Sequence, residues 1–342
     1  MKFGPLAVDE ALGAIAAHTV RAGDVVLKKG SALNADTARR LKDAGVESIV
    51  AVQLEPGDIG EDAAALCLAE AVAGEAVSVE RPFTGRSNLY ARNAGVLVVD
   101  KASVDRINAV DESITVATLP AFKPVVEGEM IGTVKIIPYA VPASILEKAL
   151  ACVGEVPGAV LRVAPYRVGR VAVISTLLPG LKPSVIDKTL RVLRERIAPS
   201  GAEIVHEARV EHDSDALEAE LRRAREKAPD LIVVFGASAI ADRRDVIPAA
   251  LEAAGGRVEH FGMPVDPGNL LLVGSLADKP VLGAPGCARS PKENGFDWVL
   301  HRLLAGLPVT RADIMGLGVG GLLMEIISRP QPRQGGTPED EG

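Results

Sequence analysis

Between residues 170 and 256 the apolar and polar positions follow two alternating rhythms. "RVAVIST" (170–176), "AEIVHEARV" (202–210) and "DLIVVFG" (230–236) are short runs that predict strands. The intervening segments place apolar residues at helical spacing: "PSVIDKTLRVLRERI" (183–197), "SDALEAELRRAREKA" (214–228) and "RDVIPAALEAAGG" (244–256), the last closed by glycines. Strands alternating with helices of this length predict an α/β fold, a three-layer, mostly parallel sheet with helices on both faces. The crossovers are then right-handed. Further on, "NLLLVGSLADKPVLGAPG" (269–286) predicts two strands joined by a short Ala-Asp-Lys turn, an antiparallel addition at one edge. A last helix is expected within "PKENGFDWVLHRLLAG", with Ser290 and Glu293 at capping-box spacing and Pro291 at the first helical position.

The first half has a different pattern. "DTARRLKDAG" predicts a short helix, while "ESIVAVQL", "AGVLVVD", "ITVATLP" and "MIGTVKIIPYAV" are short β-like runs separated by Gly and Pro. The expected organisation is a mixed, β-rich accessory domain over 1–160 and an α/β domain over 165–325. The boundary falls in "GEVPGAVLRVAPYRVG" (154–169), and a tail of Pro, Gly and charge over 329–342 is expected to be disordered.

The length of 342 residues agrees with two domains. An aromatic content of 3% and a net charge of −7 argue against a nucleic-acid partner, which needs stacking platforms and a basic excess. Cys67, Cys152 and Cys287 are odd in number and widely spaced, so neither a disulfide framework nor a zinc site is expected, and a cytoplasmic location is. No secretory signal and no membrane span are expected from the apolar runs present.

In an open parallel sheet, ligands bind where loops splay apart at the carboxyl ends of the strands. Three loops meet that condition: "STLLPGLKPS", "EHDSD" and "GASAIADRRD". The small residues Gly236, Ala237, Ser238 and Ala239 let backbone N–H groups approach an anion, though a tight strand-to-helix turn has the same composition. Asp213 and Asp245 are the carboxylates placed for metal or proton work, Mg²⁺ typically taking one or two carboxylates plus substrate phosphates. Helix capping is the competing reading for Asp213 and Asp215; for Asp245 it is capping or pairing with Arg243 or Arg244. The second candidate loop runs from Pro285 and Gly286 through Arg289, Ser290 and Lys292, with donors and charge for a phosphate or carboxylate. Cys287 lies there without a nearby histidine in sequence and reads as a buried or ligand-facing thiol, not a nucleophile. The histidines lack metal-ligand spacing and read as structural, and Arg86 in "FTGRSN" reads as part of an ordinary loop.

The order of these features resembles the molybdopterin-binding domain of molybdenum-cofactor biosynthesis proteins, the Mog/MoeA-like superfamily. "VAVIST" is similar to that family's strand ending in Ser-Thr-Gly through Ser175 and Thr176. Asp213 and Leu217 match its D-x-x-x-L turn, Gly236 through Asp245 its glycine-rich loop, and "DPGNLLLVGSL" with "PVLGAPG" its later Pro-Gly and hairpin elements. The similarity covers residues ~168–307, and an ordered set of weak motifs is more specific than any one of them. Leu177 stands at the family's glycine, Ala237 at its second glycine, and Cys287 at a common asparagine; the loop to Asp245 is one residue longer.

The resemblance implies a protein that binds molybdopterin in cofactor assembly or handling. If the chain is catalytic, it implies adenylylation of molybdopterin or molybdate insertion, with Asp245 and Asp213 on Mg²⁺, ATP as co-substrate, and Ser175, Thr176 and 236–239 around the pterin phosphate. Two alternatives keep the fold: a non-catalytic carrier or maturation factor serving a molybdoenzyme or cofactor-biosynthesis partner, and a nucleotide-pyrophosphate hydrolase similar to CinA-like proteins. The sequence is compatible with a homo-oligomer.

Overall fold

The computed structural model describes residues 1–154 and 160–323; the tail expected at 329–342 lies outside the described residues. Contacts divide the chain into two compact units, Met1–Ala164 and the residues from Pro165 onward.

In the N-terminal unit, Ile114–Thr118, Met130–Ile136, Arg86–Ala91 and Val77–Val79 form a four-stranded antiparallel sheet in that spatial order. Helix Glu61–Val72 packs across it through Ala64, Ala65, Leu68, Ala69 and Val72. A smaller sheet of Lys2–Ala7, Ser48–Gln53 and Ile15–Ala16 shares a separate core with helix Ala35–Asp43. The sequence pattern predicts the helix at 35–43 but not those at Glu61–Val72, Lys101–Asn108 and Ala143–Ala151. Two of these three start at Gly60 and Pro142 without a side-chain cap, and the face of 61–72 is largely alanine, so start signal and apolar contrast are both weak. The "FTGRSN" loop is tied to its own unit. Asp62 accepts a hydrogen bond from the Gly85 N–H at 2.6 Å, and Arg86 donates to Thr133 Oγ1 at 3.2 Å.

Among the described residues the C-terminal unit holds six strands: β1 (Arg170–Leu177), β2 (Glu203–Glu211), β3 (Leu231–Phe235), β4 (Arg257–Phe261), β5 (Leu272–Leu276) and β6 (Lys279–Ala284). Their spatial order is β2-β1-β3-β6-β5-β4. β1, β2, β3 and β6 pair in parallel, while β5 runs antiparallel to both β6 and β4. The continuous apolar runs of β1 and β3 are what strands covered on both faces require. Half-exposed β2 is an edge strand.

Helices α1 (Pro183–Ile197), α2 (Ser214–Glu226), α3 (Val246–Ala253) and α4 (Gly295–Leu304) cover the sheet. Ile186, Leu190, Leu193 and Ile197 of α1 join Phe296 and Leu300 of α4 over Val171, Val173, Val233 and Phe235. On the opposite face Leu217 and Leu221 of α2 and Ile247 and Leu251 of α3 meet Ala172, Ile174, Ile232 and Val234. Removing each such side chain from water contributes about 1.5–3 kcal/mol, which fixes the faces of all four helices.

Two expectations need correction. The β5–β6 hairpin forms, with Ala277 and Asp278 both left-handed (φ 47° and 63°) as a type I′ turn needs, but it is not an edge addition. β6 enters the sheet beside β3, where its buried run Val281–Ala284 is covered on both faces, and β4 takes the edge. The last helix starts later than Ser290. Asn294 is its cap, accepting from Phe296 N–H, and Asp297 reaches back to the Asn294 N–H. Arg196 holds the carbonyls of Ala288, Ser290 and Lys292, and residues 290–293 stay out of helical geometry.

His301 on α4 bonds the Tyr166 hydroxyl through Nδ1 at 2.8 Å, and burial pushes the phenol up to about 12. Burial also holds His301 below the ordinary imidazole value of 6.5, and His260 is lowered in the same direction by burial and by Arg311 and Arg243. The unfolded chain therefore takes up protons first. This stability is complete above about pH 6.5 and is lost as pH falls through the lower folded-state values. His301→Gln should flatten the fall in melting temperature between about pH 7 and 5; an unchanged slope would show that His301 does not carry it.

Candidate functional site

The connection from β1 leads to β2 on one side, and the next strand, β3, lies on the other. The crevice between the carboxyl ends of β1 and β3 is the place where such sheets bind ligands. Alternation along β1 directs Ser175 towards the α1 layer and Thr176 towards the α2–α3 layer.

Thr176 is fully buried and joins the two strand ends. Its Oγ1 accepts the Ala237 N–H at 2.8 Å and lies 2.8 Å from Nδ1 of His212, at the end of the neighbouring strand. Ser175 is also fully buried, and its hydroxyl has no hydrogen-bond partner among the described residues. Gly236 is closely packed: a Cβ there would lie 2.7 Å from the Ser238 carbonyl oxygen and 3.0 Å from Ile247 Cδ1. Ser238 and Ala239 project into solvent, while Ile240 returns to the core.

The second loop reaches the same crevice. β6 ends at Ala284; Pro285 is buried and Gly286 exposed, and Gly286–Arg289 form a single 3-10 turn. Half-buried Arg289 donates to the Gly236 carbonyl at 3.0 Å and to Thr189 Oγ1 at 2.8 Å, and its guanidinium lies 5.6 Å from the Phe235 ring centroid. Desolvation lowers its pKa, and no carboxylate pairs with it among the described residues. The Ser290 carbonyl is held by Arg196 at 2.7 Å, and its hydroxyl accepts the Lys292 N–H at 3.3 Å.

Asp213 and Asp245 are both helix caps. Asp213 takes the N–H groups of Asp215 and Ala216 on Oδ1, each at 3.0 Å. Asp245 takes the Ala241 N–H on Oδ2 at 3.0 Å and the Val246 N–H on Oδ1 at 2.8 Å. Capping fixes these carboxylates but leaves lone pairs on both. Their helices α2 and α3 pack against each other. Mg²⁺ typically takes one or two carboxylates together with water or phosphate oxygens. Among the described residues no three His, Cys, Asp or Glu side chains converge on a metal position.

Three contributors escape a reading of the sequence. His212 is level with the site only because β2 pairs in parallel with β1, Thr176 opposite Val210. Thr189 and Arg196 sit on α1, where nothing in the local pattern distinguishes them from helix filler. Arg196 bonds Asp297 and three carbonyls of the 288–292 segment, so the second loop is shaped by a side chain about a hundred residues earlier.

The strand-end crevice of this open α/β sheet is lined by small residues, by the hydroxyls of Ser175 and Thr176, and by Arg289. Residues 152–309 match the family model described as "Probable molybdopterin binding domain". Among solved structures it is similar to the molybdopterin biosynthesis MoeA protein from Pyrococcus horikosii, with 17% identity over 89% of this chain and 75% of that one, at a TM-score of 0.32. It is also similar to a molybdenum cofactor biosynthesis protein B, with 15% identity over 40% of this chain and 94% of that one, at a TM-score of 0.30. No curated protein matches the chain. No helix among the described residues is long and apolar enough to cross a membrane.

Proposed function

We propose that this chain binds molybdopterin and acts in the assembly or handling of the molybdenum cofactor, seating the pterin's phosphate in the crevice between β1 and β3. The observation that carries this reading is Arg289, a half-buried cation that among the described residues is held by neutral oxygens, beside the Gly236 turn. A phosphate there gains charge-assisted hydrogen bonds that a neutral ligand cannot make. The hydroxyls of Ser175 and Thr176, the backbone of 236–239, and the turn Pro285–Gly286 with Ser290 surround that position. Ser175, buried with no hydrogen-bond partner among the described residues, has a hydroxyl that a bound oxygen would satisfy.

In a nucleotidyl transfer, a pterin phosphate oxygen would attack the α-phosphorus of ATP, and the α–β bond would break to release pyrophosphate. A Mg²⁺ bound with the nucleotide would supply charge neutralisation, and Asp213 or Asp245 is the residue of this chain to hold it. A second reading, a carrier that binds the cofactor without chemistry, is favoured by the engagement of both carboxylates as caps on separate helices.

Calorimetry with molybdopterin, alone and with ATP and Mg²⁺, tests both. Binding with turnover supports the transferase, binding without turnover supports the carrier, and absence of pterin binding overturns the proposal. Thr176→Val keeps the shape but strands the Ala237 N–H and the His212 ring. It should cost about 1–3 kcal/mol of stability and, if the same magnitude reaches the turn, weaken pterin binding about tenfold. Unchanged affinity would remove Thr176 from the site.

A further inference from the structure

A groove of about 600 Å³ runs beneath the amino ends of the parallel strands, at the end of the sheet opposite the strand-end crevice. Val168, Val273, Leu303 and Val309 form its apolar floor, all of them buried. Its charged residues balance, Arg167, Arg257 and Lys279 against Asp230, Glu259 and Asp278. Arg257 pairs with Glu259 at 2.8 Å, and Lys279 lies 3.8 Å from Asp230. Asp230 also accepts the N–H groups of Gly169 and Arg170, at 3.1 Å each. That leaves Arg167 and Asp278, exposed and of opposite sign, whose side chains have no partner among the described residues.

The backbone holds these two charges at separate places. The N–H groups of Arg167 and Val168 both donate to the Leu304 carbonyl, at 2.9 and 3.0 Å, which ties Arg167 to the end of α4. Asp278 lies in the tight turn between β5 and β6, left-handed at φ 63°. Arg167 leads into β1, and β3 stands between β1 and β6 in the sheet. A polyanion or a polycation would meet as many like charges in this groove as opposite ones. A ligand with an anionic end, a cationic end and an apolar body between them meets only favourable contacts.

We infer that this groove binds a short free peptide with apolar side chains, its carboxylate at Arg167 and its ammonium at Asp278. A single α-amino acid carries both charges on one carbon and cannot serve both ends. The guanidinium fork suits a carboxylate, and the apolar floor takes side chains out of water. The volume is in the range of small-molecule sites. The assignment does not rest on the pterin reading: the groove shares no residue with the strand-end crevice, and its test needs no pterin.

The test is calorimetric titration of the full chain at low salt with the peptide Leu-Ala-Leu, its N-acetyl and C-amide forms, and leucine. The free peptide should bind, and leucine much more weakly. Blocking either end should weaken binding about threefold or more, the scale of an exposed charge pair. Arg167→Gln should weaken the free peptide to the same extent but leave the C-amide form unaffected. Asp278→Asn, which the left-handed backbone tolerates, should do the same for the free peptide and spare the N-acetyl form. Both variants should melt with the parent, because their side chains are exposed and unpartnered. Failure of the free peptide to bind overturns the proposal, as does leucine binding equally well. An N-acetyl form that binds like the free peptide would assign the groove to the carboxyl end of a protein chain and also overturns it. So would variants that weaken the blocked and free peptides alike, since the charges would then not meet the peptide ends.

Discussion

Arg196→Met should be the most damaging single substitution in the C-terminal unit. It removes one partner of a pair whose side chains are 8% and 13% exposed, leaving the Asp297 carboxylate without its cation. It also strips donors from the carbonyls of Ala288, Ser290 and Lys292. Breaking a buried pair from one side costs about 3–5 kcal/mol. In a domain of this size each kcal/mol lowers the melting temperature by about 2–4 °C. Because the chain has two units, the transition to follow is that of the C-terminal unit, resolved by calorimetry. Arg196→Lys should recover less than half of the loss, since an ammonium cannot reproduce a planar fork that meets a carboxylate and several carbonyls together. A melting temperature within about 2 °C of the parent would show that the pair is not a keystone of the loop.

Gly236→Ala should have the larger effect on binding. The added methyl would meet the Ser238 carbonyl oxygen at 2.7 Å and Ile247 Cδ1 at 3.0 Å. Of these two, the carbonyl belongs to the turn itself, so relief of the overlap displaces the backbone that the proposed phosphate would contact. Overpacking of this kind costs about 1–3 kcal/mol, and loss of the oriented N–H groups should reduce pterin affinity more than tenfold. Gly286→Ala is the control. Nothing lies within 4 Å of its added Cβ, and its backbone is not left-handed, so stability should be unchanged. Parent-like pterin binding by Gly236→Ala would detach this turn from the ligand. Ala237 itself has no positive φ, so the methyl at the family's second glycine is accommodated without backbone strain.

The helix α1 was legible from start to finish, because Pro183 opens it and Ile186, Leu190, Leu193 and Ile197 mark one face at helical spacing. β1 and β3 were legible for a related reason: a strand covered on both faces must be apolar throughout. The start of α4 was not legible. Ser290 and Glu293 carry a capping-box spacing, but Arg196 draws the surrounding carbonyls into a different arrangement, and Asn294 with Asp297 closes the helix instead. The short helices of the first half were hidden by alanine faces and by starts at Gly60 and Pro142 that offer no side-chain cap.

The same division runs through the candidate site. Local pattern along the chain is enough to place small residues, hydroxyls and acids after the parallel strands, since hydrophobic periodicity and turn chemistry are local properties. It likewise determined which residue types were available to an anion. Long-range packing is what closes Thr176 onto Ala237 and His212, makes Asp213 and Asp245 caps of separate helices, and sets Arg289 against Gly236 with no acid beside it among the described residues. Those outcomes depend on strand order, register and a buried arginine on α1. Contacts between residues fifty or a hundred positions apart are set by how layers pack, and no local pattern along the chain encodes them.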